Sequence, residues 1–217
     1  MKRFIILVLV IVVNFIVLPV HSEVTAPPEL AGGVSSSDIE TIKTIFRKFT
    51  TAIGANADDY TLEIHKSDEL NAYATLGKKI VINSALIEQT KSEAGLAFVI
   101  AHELGHVQEK HVIKSMLRSS FSGAMKYFFF KENKLLNGVD YFHSLYYSRD
   151  HERDADLYAV DLINKTYCKV PGKLEFFQKI NAAKPSPKVL EYFSTHPLPQ
   201  SRIDYLTADI KNAGCDL

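Results

Sequence analysis

The stretch Ala94–His111, AGLAFVIAHELGHVQEKH, decides how this chain is read. It sets His102, Glu103 and His106 as H-E-x-x-H within an apolar run of helical period. Four residues of α-helix advance the direction by about 400°, so the two histidines share a face one turn apart and can ligate a single tetrahedral ion. Glu103 sits one step round, beside the position such an ion leaves open. There it can take a proton from an activated water and hand it to a leaving amine. This is the pattern of a zinc peptidase helix. Thr90-Lys91-Ser92-Glu93 reads as a capping box that starts the helix, and Leu96, Val99 and Ile100 supply a buried stripe.

Two histidines need a third ligand. A histidine six residues beyond His106 is excluded, because Val112 stands there, and Glu109 stands where the accompanying glycine would be. His111 lies five residues past His106, an advance of about 500°, and reads as a surface histidine turned from the ligand face. Further on, Arg149-Asp150-His151-Glu152-Arg153-Asp154-Ala155-Asp156 opens another helical pattern. Glu152, Ala155, Asp156 and Ala159 fall at i, i+3, i+4 and i+7, so they share one face, and the small alanines allow close helix packing. Glu152 is therefore the expected third ligand. Asp156 is expected to hold a metal-binding imidazole by its other nitrogen. His151, Asp150 and Asp154 read as a solvated charged face.

Upstream, Ser37 to Thr51 carries Ile39, Ile42, Ile45, Phe46 and Phe49 at helical spacing, with Ser37 and Glu40 as a capping box. Tyr60 to His65 alternates as a strand, and Asn71 to Thr75 with Lys79 to Asn83 reads as a hairpin about Leu76-Gly77-Lys78. A small antiparallel sheet thus precedes the zinc helix, and the fold class is α+β with helix dominant. An edge strand of that sheet can add an extended peptide by main-chain hydrogen bonds. Val112 to Phe130 is apolar but carries Lys114, Arg118 and Lys126, which argues against a membrane span. Its Phe128-Phe129-Phe130 cluster reads as core beneath a helical excursion, with a substrate-facing or peripheral membrane-touching patch as the alternative.

Lys2 and Arg3, the apolar run from Phe4 to Val20 and the small residues around His21-Ser22 read as a signal peptide, residues 1–22, with an uncleaved anchor as the alternative. Residues 23–36 read as a flexible lead-in and 37–217 as one domain. Removing the signal takes two of 25 basic residues and none of the 25 acids. Near-neutral charge gives no support for nucleic acid as a partner. Cys168 and Cys215, the two cysteines, are expected to pair in an oxidising compartment.

Four segments together resemble one family: NAYATLGKKIVI at 71–82, AHELGHVQEKH at 101–111, ERDADLYA at 152–159 and THPLPQSRI at 195–203. The chain is similar to the membrane-associated zinc metallopeptidases that include the HtpX heat-shock protease, the CAAX prenyl protease and soluble periplasmic relatives such as BepA. It differs from the membrane-embedded members in lacking internal membrane spans. The resemblance implies a gluzincin-type fold, one zinc ion held by His102, His106 and Glu152, and Glu103 as general base. It also draws His196 and Arg202 toward the site. His196 is either a fourth ligand that closes the site or a hydrogen-bond donor to the oxyanion, the donor role being preferred, with Arg202 supplying charge or holding the loop. A plain cap on the final helix, Ser201 to Asn212, is the bland reading. The function so implied is a secreted, most simply periplasmic, endopeptidase acting on extended or unfolded chains such as misfolded or envelope proteins. The alternative is a non-catalytic or latent zinc-binding chaperone that uses the same groove.

Overall fold

The computed structural model describes residues 33–121, 147–182, 196 and 200–217. The expected signal peptide, most of the lead-in, the Phe128–Phe130 cluster and the prolines flanking Leu198 lie outside the described residues. Helix α1, Ser36–Ala52, begins on a capping box in which the Ser35 hydroxyl accepts from the Asp38 amide and the Asp38 carboxylate accepts from the Ser35 amide at 2.8 Å. The box is therefore two residues earlier than the Ser37–Glu40 pair the sequence offers. Glu40 instead pairs with Lys43 at 2.9 Å along the helix surface. Ile42, Ile45, Phe46 and Phe49 form the buried face, as their spacing requires.

Three short strands follow: β1, Thr61–His65; β2, Ala72–Thr75; and β3, Lys79–Asn83. The hairpin is antiparallel, with Thr75 opposite Lys79 and Ala72 opposite Ile82. Its turn uses positive φ at Gly77 (76°) and Lys78 (58°). β1 joins the far side of β3 in parallel, Thr61 opposite Lys79, so the sheet is mixed with order β1-β3-β2. The short link from β1 passes across the end of β3, so β1 and β2 are the two edges, and β2 packs against the helix described next.

After α2, Ser84–Gln89, comes α3, Glu93–Gln108, which carries the H-E-x-x-H residues. Every residue from Ala94 to His106 is buried, so α3 is a central helix and not the one-faced helix its apolar stripe implies. β2, β3, α1 and the helices α4 (His111–Phe121), α5 (Arg149–Thr166) and α6 (Glu175–Ala182) all pack on it. Its cap is Ser92, whose hydroxyl accepts from the Gly95 amide at 2.9 Å. Thr90 does not cap it, and Glu93 accepts a hydrogen bond from the Tyr167 hydroxyl at 2.8 Å. The Glu175 carboxylate accepts from the Ser92 and Lys91 amides at 2.7 and 3.3 Å, placing negative charge on the positive end of α3.

α3 and α5 meet where both present small residues. A methyl built on Gly105 would stand 3.0 Å from the Cα and the carbonyl oxygen of Ala155, closer than carbon atoms pack. The last helix, α7, Gln200–Asn212, crosses α5 and α6, and the chain end folds back to form the Cys168–Cys215 disulfide. Around it the Asp216 amide donates to the Cys168 carbonyl at 2.8 Å and the Gly172 amide to the Leu217 carbonyl at 2.7 Å. The fully buried Lys173 ammonium donates to the carbonyls of Cys168, Val170 and Asp216. Among the described residues, no helix is long and apolar enough to cross a membrane.

Candidate active site

α3 and α5 bring His102, His106 and Glu152 together inside the protein, each at most 3% exposed. The Nε2 atoms of His102 and His106 face each other at 3.1 Å. Glu152 reaches both rings, Oε2 to His102 at 3.6 Å and Oε1 to His106 at 3.4 Å. His196 completes the group, its Nδ1 3.1 Å from Glu152 Oε1, and the ligand atoms of all four residues lie within 4.8 Å of one another. Two imidazole nitrogens and a carboxylate converging this tightly make a donor set of the kind zinc takes, nitrogen and oxygen with a further nitrogen at the fourth position. Glu103 stands beside them with both carboxylate oxygens buried and accepting no hydrogen bond among the described residues. Its nearest ring nitrogen is His196 Nε2 at 3.7 Å. An acid kept out of water and without donors needs a proton or a nearby cation.

The charges around the group are arranged to hold it. Asp156 Oδ1 takes the back of the first histidine, 3.0 Å from His102 Nδ1. Arg202 on α7 spans both acids: Nη1 lies 2.6 Å from Glu152 Oε2, and Nε and Nη2 bond Asp156 at 2.6 and 2.8 Å. The Tyr205 hydroxyl, one turn further along α7, also donates to Asp156. Burial alone would raise the Asp156 carboxyl, but the Arg202 charge and the hydrogen bonds from His102 and Arg202 hold it at about 2. Burial likewise opposes the charge on Glu152. The His196 and Arg202 charges, with hydrogen bonds from His106 and His196, win and bring it well below the usual carboxylate range. Glu103 goes the other way: burial raises it further than His196 and His102 lower it. The proton affinities of Glu152 and Glu103 are thus pushed apart, the first lowered and the second raised.

The residues singled out from sequence therefore stand together: His102, Glu103, His106, Glu152, Asp156, His196 and Arg202 are all buried around one point. Two readings need correction. His111 is fully buried, with Nδ1 3.1 Å from His106 Nδ1, because α3 ends at Gln108 and the chain reverses at Lys110 (φ 56°) before α4 begins. The 500° advance holds only on an unbroken helix. His151 is buried too, stacked on His111 at 4.3 Å, while Asp150 and Asp154 are exposed as expected. Tyr147, whose ring stacks on His106 at 3.9 Å, and Tyr205 escaped the sequence argument. Tyr205 carried a signal, standing three residues after Arg202 on the same helical face. Tyr147 carried none.

A buried His-His-Glu group on two crossed helices, with an acid one residue after the first histidine, defines the class of H-E-x-x-H metal-site proteins. Residues 36–210 match Peptidase family M48, and the chain belongs to that family. It is 26% identical over 167 residues to the Beta-barrel assembly-enhancing protease of Escherichia coli strain K12, covering 67% of this chain and 32% of that relative. A Putative beta-barrel assembly-enhancing protease of Vibrio cholerae is 27% identical over 173 residues, covering 69% of this chain and 35% of the relative. The Mitochondrial metalloendopeptidase OMA1 of Schizosaccharomyces pombe is 22% identical over 177 residues, covering 75% and 50%. The chain spans about a third of the length of the bacterial relatives it matches.

Proposed function

We propose that this domain is a zinc endopeptidase that cuts extended or unfolded polypeptides, with His102, His106 and Glu152 as ligands and Glu103 as general base. The observation that carries the reading is the convergence of those ligand atoms with His196 within 4.8 Å, beside the buried, donor-free Glu103 carboxylate. Bound there, zinc supplies Lewis acidity toward a water and a scissile carbonyl. The chain's own residues do the rest. Asp156 accepts the Nδ1 proton of His102 and so keeps that ring's Nε2 turned to the centre. Arg202 ties Glu152 and Asp156 to α7, so that the ligand and the acid behind the first histidine move as one unit. Glu103, whose burial raises its proton affinity, takes the proton of the attacking water and returns it to the amine that leaves. His196, whose Nδ1 lies 3.1 Å from Glu152 Oε1, would hold that zinc as a fourth ligand in a closed state.

The disulfide supports an oxidising compartment, in keeping with export by a signal peptide and a periplasmic location. The names of the bacterial relatives turn the substrate reading toward β-barrel proteins during assembly, among misfolded envelope proteins generally. The test is digestion of casein and of an unfolded outer-membrane β-barrel protein, with and without a chelator, by the parent and by Glu103→Gln. The parent is expected to cut both in a chelator-sensitive way. The variant is expected to keep its zinc and lose hydrolysis by about a hundredfold or more. Equal cleavage by the variant ends the general-base assignment. A zinc-loaded parent that binds unfolded chains and cuts neither substrate would make the domain a holding chaperone.

A further inference from the structure

The back of His102 is held by a carboxylate, but among the described residues no acid stands behind His106. The nearest partner of its Nδ1 is another imidazole, His111 Nδ1 at 3.1 Å. We propose that His111 is a positioning residue of the metal centre: it accepts the Nδ1 proton of His106 and so fixes that ring with Nε2 facing the ion. The inference rests on the metallopeptidase reading and deepens it.

The tautomers follow from the distances. His106 Nε2 is the atom turned to His102 Nε2 (3.1 Å) and Glu152 Oε1 (3.4 Å), so ligation leaves the ring's one proton on Nδ1. A proton there has to be received, and His111 Nδ1 is in reach only as a lone pair. The proton of His111 then resides on Nε2, which lies 3.8 Å from Asp154 Oδ2 and makes no hydrogen bond among the described residues. Were His111 instead protonated on Nδ1, it would donate to His106 Nδ1, move that ring's proton to Nε2 and abolish the ligand. One proton position on His111 therefore fits metal binding and the other forbids it.

The acceptor is itself rigid. His111 is fully buried, its ring lies flat on His151 at 16° and 4.3 Å, and the His151 ring contacts Ser115 Oγ at 3.4 Å. Tyr147 stacks on the His106 ring at 3.9 Å. Stacking by Tyr147 and the hydrogen bond to His111 together remove both freedoms of the ligand ring, its tilt and its rotation about Cβ. The two histidines of the motif are thus oriented by different chemistry, a carboxylate for His102 and a neutral imidazole for His106.

The test uses the full chain, stripped of metal and titrated with zinc against a chromophoric chelator, as parent, His111→Phe and His111→Gln. Phenylalanine keeps the ring that stacks on His151 and removes the acceptor, whereas the glutamine amide oxygen restores one. Zinc affinity is expected to fall about 10- to 100-fold in His111→Phe and to recover in His111→Gln. The visible spectrum of the cobalt-substituted proteins is expected to change in His111→Phe alone. Parent-like affinity and spectrum in a folded His111→Phe would overturn the proposal. Long-range nitrogen NMR of the zinc-loaded parent decides the matter even if that variant fails to fold: a proton on Nε2 of His111 supports it, and a proton on Nδ1 overturns it. A parent that binds no zinc at all would sink the metallopeptidase reading itself, a result distinct from either.

Discussion

At the scale of single residues, the site is a set of buried charges that compensate one another, and its function is read best by removing one at a time. His196 Nδ1 lies 3.1 Å from Glu152 Oε1 and its Nε2 3.7 Å from Glu103 Oε1. Its ring lies edge-on to both motif histidines, with centroids 5.4 and 5.5 Å away, and its ligand atom is within 4.8 Å of theirs. In His196→Ala, turnover of an unfolded substrate is therefore expected to rise, or its lag to shorten, because substrate no longer has to displace a ligand. Turnover that falls about a hundredfold would instead assign the ring to the oxyanion. Unchanged turnover would leave it neither role. Steady-state and pre-steady-state rates on one quenched peptide distinguish the three.

At the scale of elements, two contacts set where α3 lies. Gly105 lets α5 approach until Ala155 touches its backbone, and this approach carries Glu152 to the two histidines. The atoms a new methyl would meet at 3.0 Å belong to backbone and cannot rotate away. Gly105→Ala is expected to cost about 1–3 kcal/mol by overpacking and to weaken zinc binding, despite the better helix propensity of alanine. Thermal melting of the metal-free protein and a chelator competition check both. At the other end of the helix, partial burial works to raise the Glu175 carboxyl, but hydrogen bonds from the Lys179 ammonium, from the side chain and amide of Ser92 and from the Lys91 amide hold it at about 2. A carboxyl lowered in the folded state stabilises fully above its ordinary value of 4.5, and that contribution is lost as pH falls toward about 2. Glu175→Gln should melt lower than the parent at pH 7, and the gap should close across that window. A gap that persists at pH 2 would show that the charge is not what caps α3.

At the scale of the whole molecule, the C-terminal turn is tied back beside the cap of the zinc helix. The Cys168–Cys215 disulfide closes a loop of sequence separation 47, worth about 4 kcal/mol in the chain-entropy account. Next to it the Gly172 carbonyl accepts from Ser92 Oγ at 2.9 Å, and the Gly172 amide donates to the Leu217 carbonyl. Replacing both cysteines by serine is expected to lower the melting temperature by about 10 °C, measured against the oxidised parent in the same buffer. A shift of a degree or less would mean that the buried Lys173 and its three carbonyls hold the tail unaided.

What the sequence by itself determined was everything that periodicity on one unbroken helix can reach. His102, Glu103 and His106 on α3 follow from a 3.6-residue repeat, as does the shared face of Glu152, Ala155, Asp156 and Ala159 on α5. The hairpin followed from alternation and a glycine turn, whereas the pairing of Cys168 with Cys215 was open in the sequence and is seen in the folded chain. Tertiary structure alone decided what lies between elements. Whether β1 pairs parallel or antiparallel depends on which side of β3 it finds, and alternation is the same for both. The burial of α3 on every side depends on the elements packed around it, which no local pattern counts. His111 is the clearest case. The angle from His106 is fixed only while the helix continues, and a single left-handed residue, Lys110, sets a new direction that brings the imidazole back against the ring it was expected to leave.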